Sequence, residues 1–522
     1  MRKLVTLKDI DVQNKTVFVR ASFDVPLDSS KSILDAERVR DDSRIKDAIP
    51  TLSYLVKNNA KIILQGGWLG RPKGEDAEFS MAPVALRLQE LLKENGILQH
   101  PVLLTPNCLD GSKPRSAYKN RQEVENDVSR LESGQIILLE NVRYDPEANA
   151  NDQKFAEFMA SLAGDNSVYV NEAEAQNHRP EATIASVPSI ISKKGGKAVF
   201  GFKMADAIKY LGNISKLLGK KGRGHFIFFL SGKKIETQVG ITSKITVASG
   251  LLDRMKAGDI IFIQGAVTYT FLAADEFMGK IAPKNDEIRK TVDDFNARIN
   301  EETEKSGNDA EQSAKIQENL QKQKSEKIMQ IIGITEDEIR CLIGNSFAEW
   351  KEIGEQIFFA AQFYIRAKSK KVSVIASIDH TITDKYPDKF GKLPQDARLR
   401  AFESSVLIPE GWLGVAPGTK SIEIICENIR GAFMIILAGP ISIEDKRVEE
   451  FCGANKKIFA AIQGAKESGA ITIAAGGDTA AAIKEFNGED AFTVVSNAGG
   501  ATLETIEKSG KIPGIEAVEN TW

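Results

Sequence analysis

Residues 61–74 read KIILQGGWLGRPKG. An unbroken apolar run, Ile62 to Leu64, ends in two glycines, and an arginine follows at position 71. A short run with no polar alternation suits a strand buried on both faces, the habit of parallel sheets. Ligands of open parallel sheets gather beyond the carboxyl ends of the strands. The stretch after Gln65 is therefore a candidate ligand loop.

The same pattern recurs along the chain. TVFVR, QIILLE and SVYVN accompany KIILQ in the first part, and HFIFFL, DIIFIQ, VSVIAS, FMIILA, ITIAA and FTVVS follow in the second. Helical patterns alternate with these runs, which predicts an α/β protein of two doubly wound, Rossmann-like parallel-sheet domains. The expected boundaries are 1–197 for the first domain, 198–219 for a connecting helix and 220–495 for the second domain. Residues 284–330 break the rhythm inside a helical insertion of about 284–355. Ile288, Val292, Phe295 and Ile299 fall at helical spacing, as do Ile316 and Leu320, predicting two amphipathic helices broken near SGND. Two readings stand side by side, a solvated helical insertion and a docking arm for a protein partner or larger assembly.

Bulk properties narrow the function. The chain has 522 residues, 42% of them hydrophobic and 27% charged, with a net charge of −3, the composition of a soluble globular protein. No global field favours nucleic acid or an acidic membrane, and neither is an expected partner. The four cysteines form no CxxC pair and the four histidines no HExxH. With no signal-type start, the expected location is intracellular and cytoplasmic, with a specialised organelle or cytoskeletal assembly as the alternative.

Arginines mark the strand ends of the first series: Arg71, Arg143 and Arg179, with Arg44 in DDSRIKDAIP. Guanidinium forks at several strand ends of one sheet could make a site for phosphate or carboxylate. In the second series, AAGGDTAAAIKEF sets glycines and an Asp-Thr pair at a helix start, where free N–H groups favour phosphate oxygens. Asp478 is there either a plain helix cap or a residue facing a magnesium–nucleotide complex. Neither GxxxxGK[ST] nor GxGxxG is present.

The stretches VFVRASFDVPL, DDSRIKDAIPTL, GGWLGRPKG, IILLENVRYDPEA, VYVNEAEAQNHRPEAT, IPEGWLGVAPGTKS, AGGDTAAAIKEF and SNAGGATLETIE stand in one order. In that order the chain resembles phosphoglycerate kinase over nearly its whole length, the insertion excepted. The resemblance implies two Rossmann-like domains joined by a helix, with the last residues, 496–522, packing back on the N-terminal domain. It implies phosphoryl transfer between 1,3-bisphosphoglycerate and ADP, with 3-phosphoglycerate, ADP/ATP and Mg2+ as ligands. On this reading Arg44 is the catalytic arginine, Arg71, Arg143 and Arg179 hold the substrate anion, and His178 stands beside the last of these. Ser22 replaces an aspartate that bonds the glycerate hydroxyl, Asp24 an asparagine, and Trp68 a histidine; Gln176 is a further departure.

On the nucleotide side the resemblance assigns Gly232, Lys234, Gly265, Asp445, Gly477, Asp478 and Thr479, with Asp478 toward the metal. The loop LSGKKIETQVG departs most: Thr237 replaces an aspartate, and Gln238 replaces the lysine that contacts the transferred phosphate. Ala416 and Ala438 replace an aspartate and an asparagine, and Asp445 takes roughly the place of a ribose-binding glutamate. Two functions follow as expectations. One is a phosphoglycerate kinase homologue that is impaired or inactive and serves a structural role through its insertion. The other is an active kinase of glycolysis.

Overall fold

The computed structural model describes residues 4–232, 244–306, 310–346, 350–388, 392–404, 406–443, 445–498 and 500–522. Six parallel strands form the first sheet: β1 (Thr16–Ala21), β2 (Lys61–Gln65), β3 (Leu103–Thr105), β4 (Ile136–Leu139), β5 (Val168–Glu172) and β6 (Lys197–Phe200). Their order is β3-β4-β2-β1-β5-β6. Alternate residues feed two separate cores. Val17, Val19, Ile62, Leu64 and Val170 pack into one, while Phe18, Ile63, Ile137 and Tyr169 pack into the other. That double burial is why these strands read as unbroken apolar runs.

The second sheet follows the same logic with β7 (His225–Ser231), β8 (Ile260–Gln264) and β9 (Ser373–Ala376). Three short strands, β10 (His380–Thr383), β11 (Leu399–Phe402) and β12 (Leu413–Pro417), form a separate antiparallel sheet. The chain then returns to the parallel sheet with β13 (Ala432–Ala438), β14 (Ile471–Ala475) and β15 (Val494–Ser496), giving the order β15-β14-β13-β7-β8-β9. Both parallel sheets have the doubly wound form expected from the sequence. The antiparallel sheet, β3 and β6 were not foreseen.

The chain divides into two compact units, residues 1–214 with 504–522, and residues 215–503. The closing segment is part of the first unit's core, through Ile512, Ile515 and Val518. Asn171 Nδ2 donates to Gly514 O at 2.9 Å, and Trp522 Nε1 to Ala198 O at 2.6 Å. The connecting stretch is not one helix. It forms Phe202–Tyr210 and Ile214–Leu218. Between them Asn213 Nδ2 takes up the carbonyl of Lys209 at 3.1 Å, ending the first helix.

The insertion forms two helices, Asn285–Lys305 and Ala310–Ile332, which pack on each other, and the second also packs on the helix Ile353–Ser369. Ile288, Val292, Ile299 and Leu320 are buried, whereas Phe295 and Ile316 are half-buried. The apolar stripe seen in the sequence is thus covered within the unit. A buried ion pair fixes the register: Lys324 Nζ lies 2.8 Å from Glu355 Oε1 and donates to Asn296 Oδ1 at 3.0 Å. Breaking such a pair leaves an uncompensated buried charge. Lys324→Met is expected to destabilise the second unit by about 3 kcal/mol, and Lys324→Met with Glu355→Met to recover most of the loss. Urea titration followed by circular dichroism checks both, and an unchanged single variant would show that the pair anchors nothing.

Candidate functional site

The carboxyl ends of four neighbouring strands assemble the first site. Ser22 and Asp24 follow β1, Trp68 and Arg71 follow β2, Arg143 follows β4, and His178 and Arg179 follow β5. Arg44 stands in the first turn of the helix Ser43–Lys57. Its Nη1 donates to the Asp24 carbonyl and lies 3.8 Å from Asp24 Oδ2. Asp24 Oδ1 accepts from Gly70 N at 3.0 Å. Arg143 donates to Gly70 O, and its guanidinium lies 4.6 Å from the centre of the Trp68 ring.

These charges feel one another. Burial pushes the Arg143 guanidinium below its ordinary value, the nearby Asp24 opposes that, and Arg71 and Arg179 add to it. Burial and Arg179 hold His178 down to about 4, so its imidazole is neutral at physiological pH. Its Nδ1 and the Ser22 hydroxyl are buried and have no hydrogen-bond partner among the described residues. The structure therefore brings Asp24, Arg44, Arg71, Arg143 and Arg179 into one electrostatic cluster. Four guanidinium groups and one carboxylate can take a polyanionic ligand.

Two supporting residues had no role assigned from the sequence, Asn141 and Gln176, the second noted only as a departure from the family pattern. Asn141, just past β4, accepts from Leu69 N and Arg143 N, both at 3.1 Å, and donates to Leu69 O at 2.8 Å. Gln176 donates to Trp68 O at 3.2 Å and accepts from the buried Arg20 at 2.8 Å. A side chain on Gly67, which has φ +81°, would collide with Gln176 Oε1 and Arg20. The signal in the sequence was, for Asn141, a polar residue two positions past a buried strand and, for Gln176, its departure from the family pattern.

Glu172, at the end of β5, meets the first turn of the helix Phe202–Tyr210. It accepts from Met204 N at 3.0 Å, Lys203 N at 3.1 Å and Thr51 Oγ1 at 2.7 Å. Burial nevertheless raises its carboxyl to about 7.

In the second unit Gly232 follows β7 and Gly265 follows β8. Gly265 has φ +70°, and a Cβ there would lie 2.9 Å from Gly232 N and O. Gly477 and Asp478 are exposed at the start of the helix Gly477–Glu485. Thr479 is buried, accepting from Gly439 N and donating to Ala475 O, each at 2.8 Å, so it ties the end of β13 to that helix start. Asp445 is engaged on both oxygens. Arg447 donates to them at 2.8 and 2.6 Å, and Leu393 N donates at 3.0 Å. The Arg447 guanidinium first, with the Leu393 and Arg447 amides, holds the Asp445 carboxyl down to about 2. Lys234, Thr237 and Gln238 lie outside the described residues. Among the described residues no group of three or more His, Cys, Asp or Glu is placed to hold a metal. No helix is long and apolar enough to cross a membrane, among the described residues.

Fold and site together define a protein of two doubly wound parallel-sheet units, one with a cluster of arginines at its strand ends. A family model for phosphoglycerate kinase matches residues 7–346 and 306–509. The phosphoglycerate kinases of Acidobacterium capsulatum and Anaeromyxobacter sp. strain Fw109-5 are 28% and 29% identical over 520 and 521 residues, covering 99% of this chain and 99% of each relative. The structures of phosphoglycerate kinase from Coxiella burnetii and Pyrococcus horikoshii superpose with TM-scores of 0.63 and 0.64 at 22% and 18% identity, over 99% of both chains. The chain belongs to the phosphoglycerate kinase family.

The Glu172 carboxyl yields a pH prediction. Its folded value of about 7 lies above the ordinary 4.5, so between those values the folded chain binds more protons than the unfolded one. The first unit is therefore expected to lose stability as pH rises from about 4.5 to 7. Glu172→Gln should flatten that slope in urea titrations run across this range, and an unchanged slope would sink the assignment.

Proposed function

We propose that the chain is a phosphoglycerate kinase homologue whose phosphoryl transfer is impaired or absent and whose first unit still binds a phosphorylated carboxylate such as 3-phosphoglycerate. The capture of Asp445 by Arg447 and Leu393 N carries this reading, because a carboxylate already bonded on both oxygens has little left for a ribose. The sequence adds Gln238 in place of a phosphate-contacting lysine. Such transfer depends almost wholly on positioning and on neutralising charge, so a missing cation near the transferred group is costly. On the acid side the arginine cluster remains, with Arg44 beside Asp24.

Asp478 at its helix start fits the metal of a magnesium–nucleotide complex, in which phosphate oxygens supply most ligands and the protein one carboxylate. ADP or ATP would then meet Gly232, Gly265, Gly477 and Thr479. The insertion's role on this reading is structural, and a protein partner would meet its exposed charged faces, since its apolar stripe is covered. A second reading, an active kinase of glycolysis, draws on the Thr479 ties that order the helix start and on Arg44.

A coupled phosphoglycerate kinase assay separates the two. Wild type is expected to turn over at least roughly a thousandfold below the ordinary range of about 1–1000 s⁻¹, with Gln238→Lys raising the rate by roughly a hundredfold. Wild-type turnover inside the ordinary range would establish the second reading instead. Calorimetry with 3-phosphoglycerate should give heat at millimolar ligand, and its absence would remove the anion-binding half of the proposal.

A further inference from the structure

The loop that carries Trp68 and Arg71 has no regular structure of its own. It is held from outside by Asn141, by Asp24 through Gly70 N, and by Gln176. The Gln176 contact differs from the others in what lies on each side of it. Its amide is almost wholly buried and its orientation is chemically fixed. Arg20 has only donors, so the amide oxygen must face it, and the Trp68 carbonyl can only accept, so the amide nitrogen must face that. Arg20 is itself immobile, with Nη2 on Glu181 at 3.0 Å and Nε on Thr183 Oγ1 at 2.6 Å. On the far side the Trp68 ring, 8% exposed, forms the floor under the Arg143 guanidinium.

The contacts therefore run unbroken from a buried ion pair to a ligand-facing arginine. Trp68 and Gln176 are also both departures from the family pattern, and the structure bonds the one to the other. We propose that Gln176 is a positioning residue of the anion site, fixing the Trp68 peptide so that the indole ring holds Arg143 toward the ligand. This rests on the reading of the first unit as a binder of phosphorylated carboxylates. Glutamate would not serve at this position. It keeps the bond from Arg20 and sets a second carbonyl-like oxygen against the Trp68 carbonyl.

The test uses the full chain labelled with 5-fluorotryptophan, whose Trp68 fluorine resonance is assigned through Trp68→Phe. In the wild type, Arg143→Gln should shift the Trp68 resonance, because the cation leaves the ring. In Gln176→Leu and in Gln176→Glu, Arg143→Gln should no longer shift it. The dissociation constant for 3-phosphoglycerate should then weaken by roughly five- to tenfold, the effect of one lost hydrogen bond. Trp68→Phe, which keeps a ring under the guanidinium, should retain affinity, and Trp68→Leu should lose it.

Retention of the Arg143 effect in Gln176→Leu, or wild-type behaviour of Gln176→Glu, overturns the proposal. Loss of affinity in Trp68→Phe equal to that in Trp68→Leu overturns it as well, and needs no Gln176 variant to fold. If the resonance uncouples as expected while wild type binds no 3-phosphoglycerate, the positioning role stands and only the ligand reading falls.

Discussion

A fully buried guanidinium organises the first unit. Arg20, at the end of β1, carries five N–H donors and no acceptor, and when buried they must be met inside the protein. Glu181, Thr183, the Ala21 carbonyl and Gln176 meet them. Three of these partners come from the segment after β5, so satisfying Arg20 pulls that segment back over the ends of β1 and β2. His178 and Arg179 lie between two of the anchors, Gln176 and Glu181. The second unit has a comparable buried pair, Arg223 with Asp259, bonded through two contacts at 2.7 and 2.6 Å. That pair sits at the amino ends of β7 and β8, where Asp259 also takes the amides of Phe226 and Lys256. The same chemistry thus braces the ligand end of one sheet and the opposite end of the other.

The strands of the first sheet were legible because two cores flank it. Ile62, Ile63 and Leu64 had all to be apolar, and such a run is visible without any partner. Leu103–Thr105 was not legible, being three residues long with Leu103 exposed at the sheet edge. His380–Thr383 was not legible either, since HTIT lacks an apolar run and gains its place only by pairing with strands on both sides. The arginines of the site were readable by their position after strands. Gln176 and Asn141 were not, because their partners are remote in sequence; Gln176 and Trp68 are separated by 108 residues. The amphipathic stripe of 284–330 was readable, but not its destination, since periodicity states that a face is apolar without saying what covers it.

The residues read from the sequence as departures from the family pattern have unlike physical settings in the two units. In the second, Asp445 has been drawn into a structural pair with Arg447, an arrangement complete without any ligand. In the first, the new residues are built into the walls: Trp68 lies under Arg143, Gln176 holds Trp68, and Asp24 takes Gly70 N. Burial first, and Arg71 and Arg179 after it, depress the Arg143 guanidinium, and the one carboxylate beside it, Asp24, offsets only part of that. The Ser22 hydroxyl is buried without a partner among the described residues, which costs free energy that a bonded hydroxyl would not. Like charges and an orphan donor at strand ends are features that a bound anion would stabilise. This is why the anion site, rather than the nucleotide side, is where the physical case for retained binding rests.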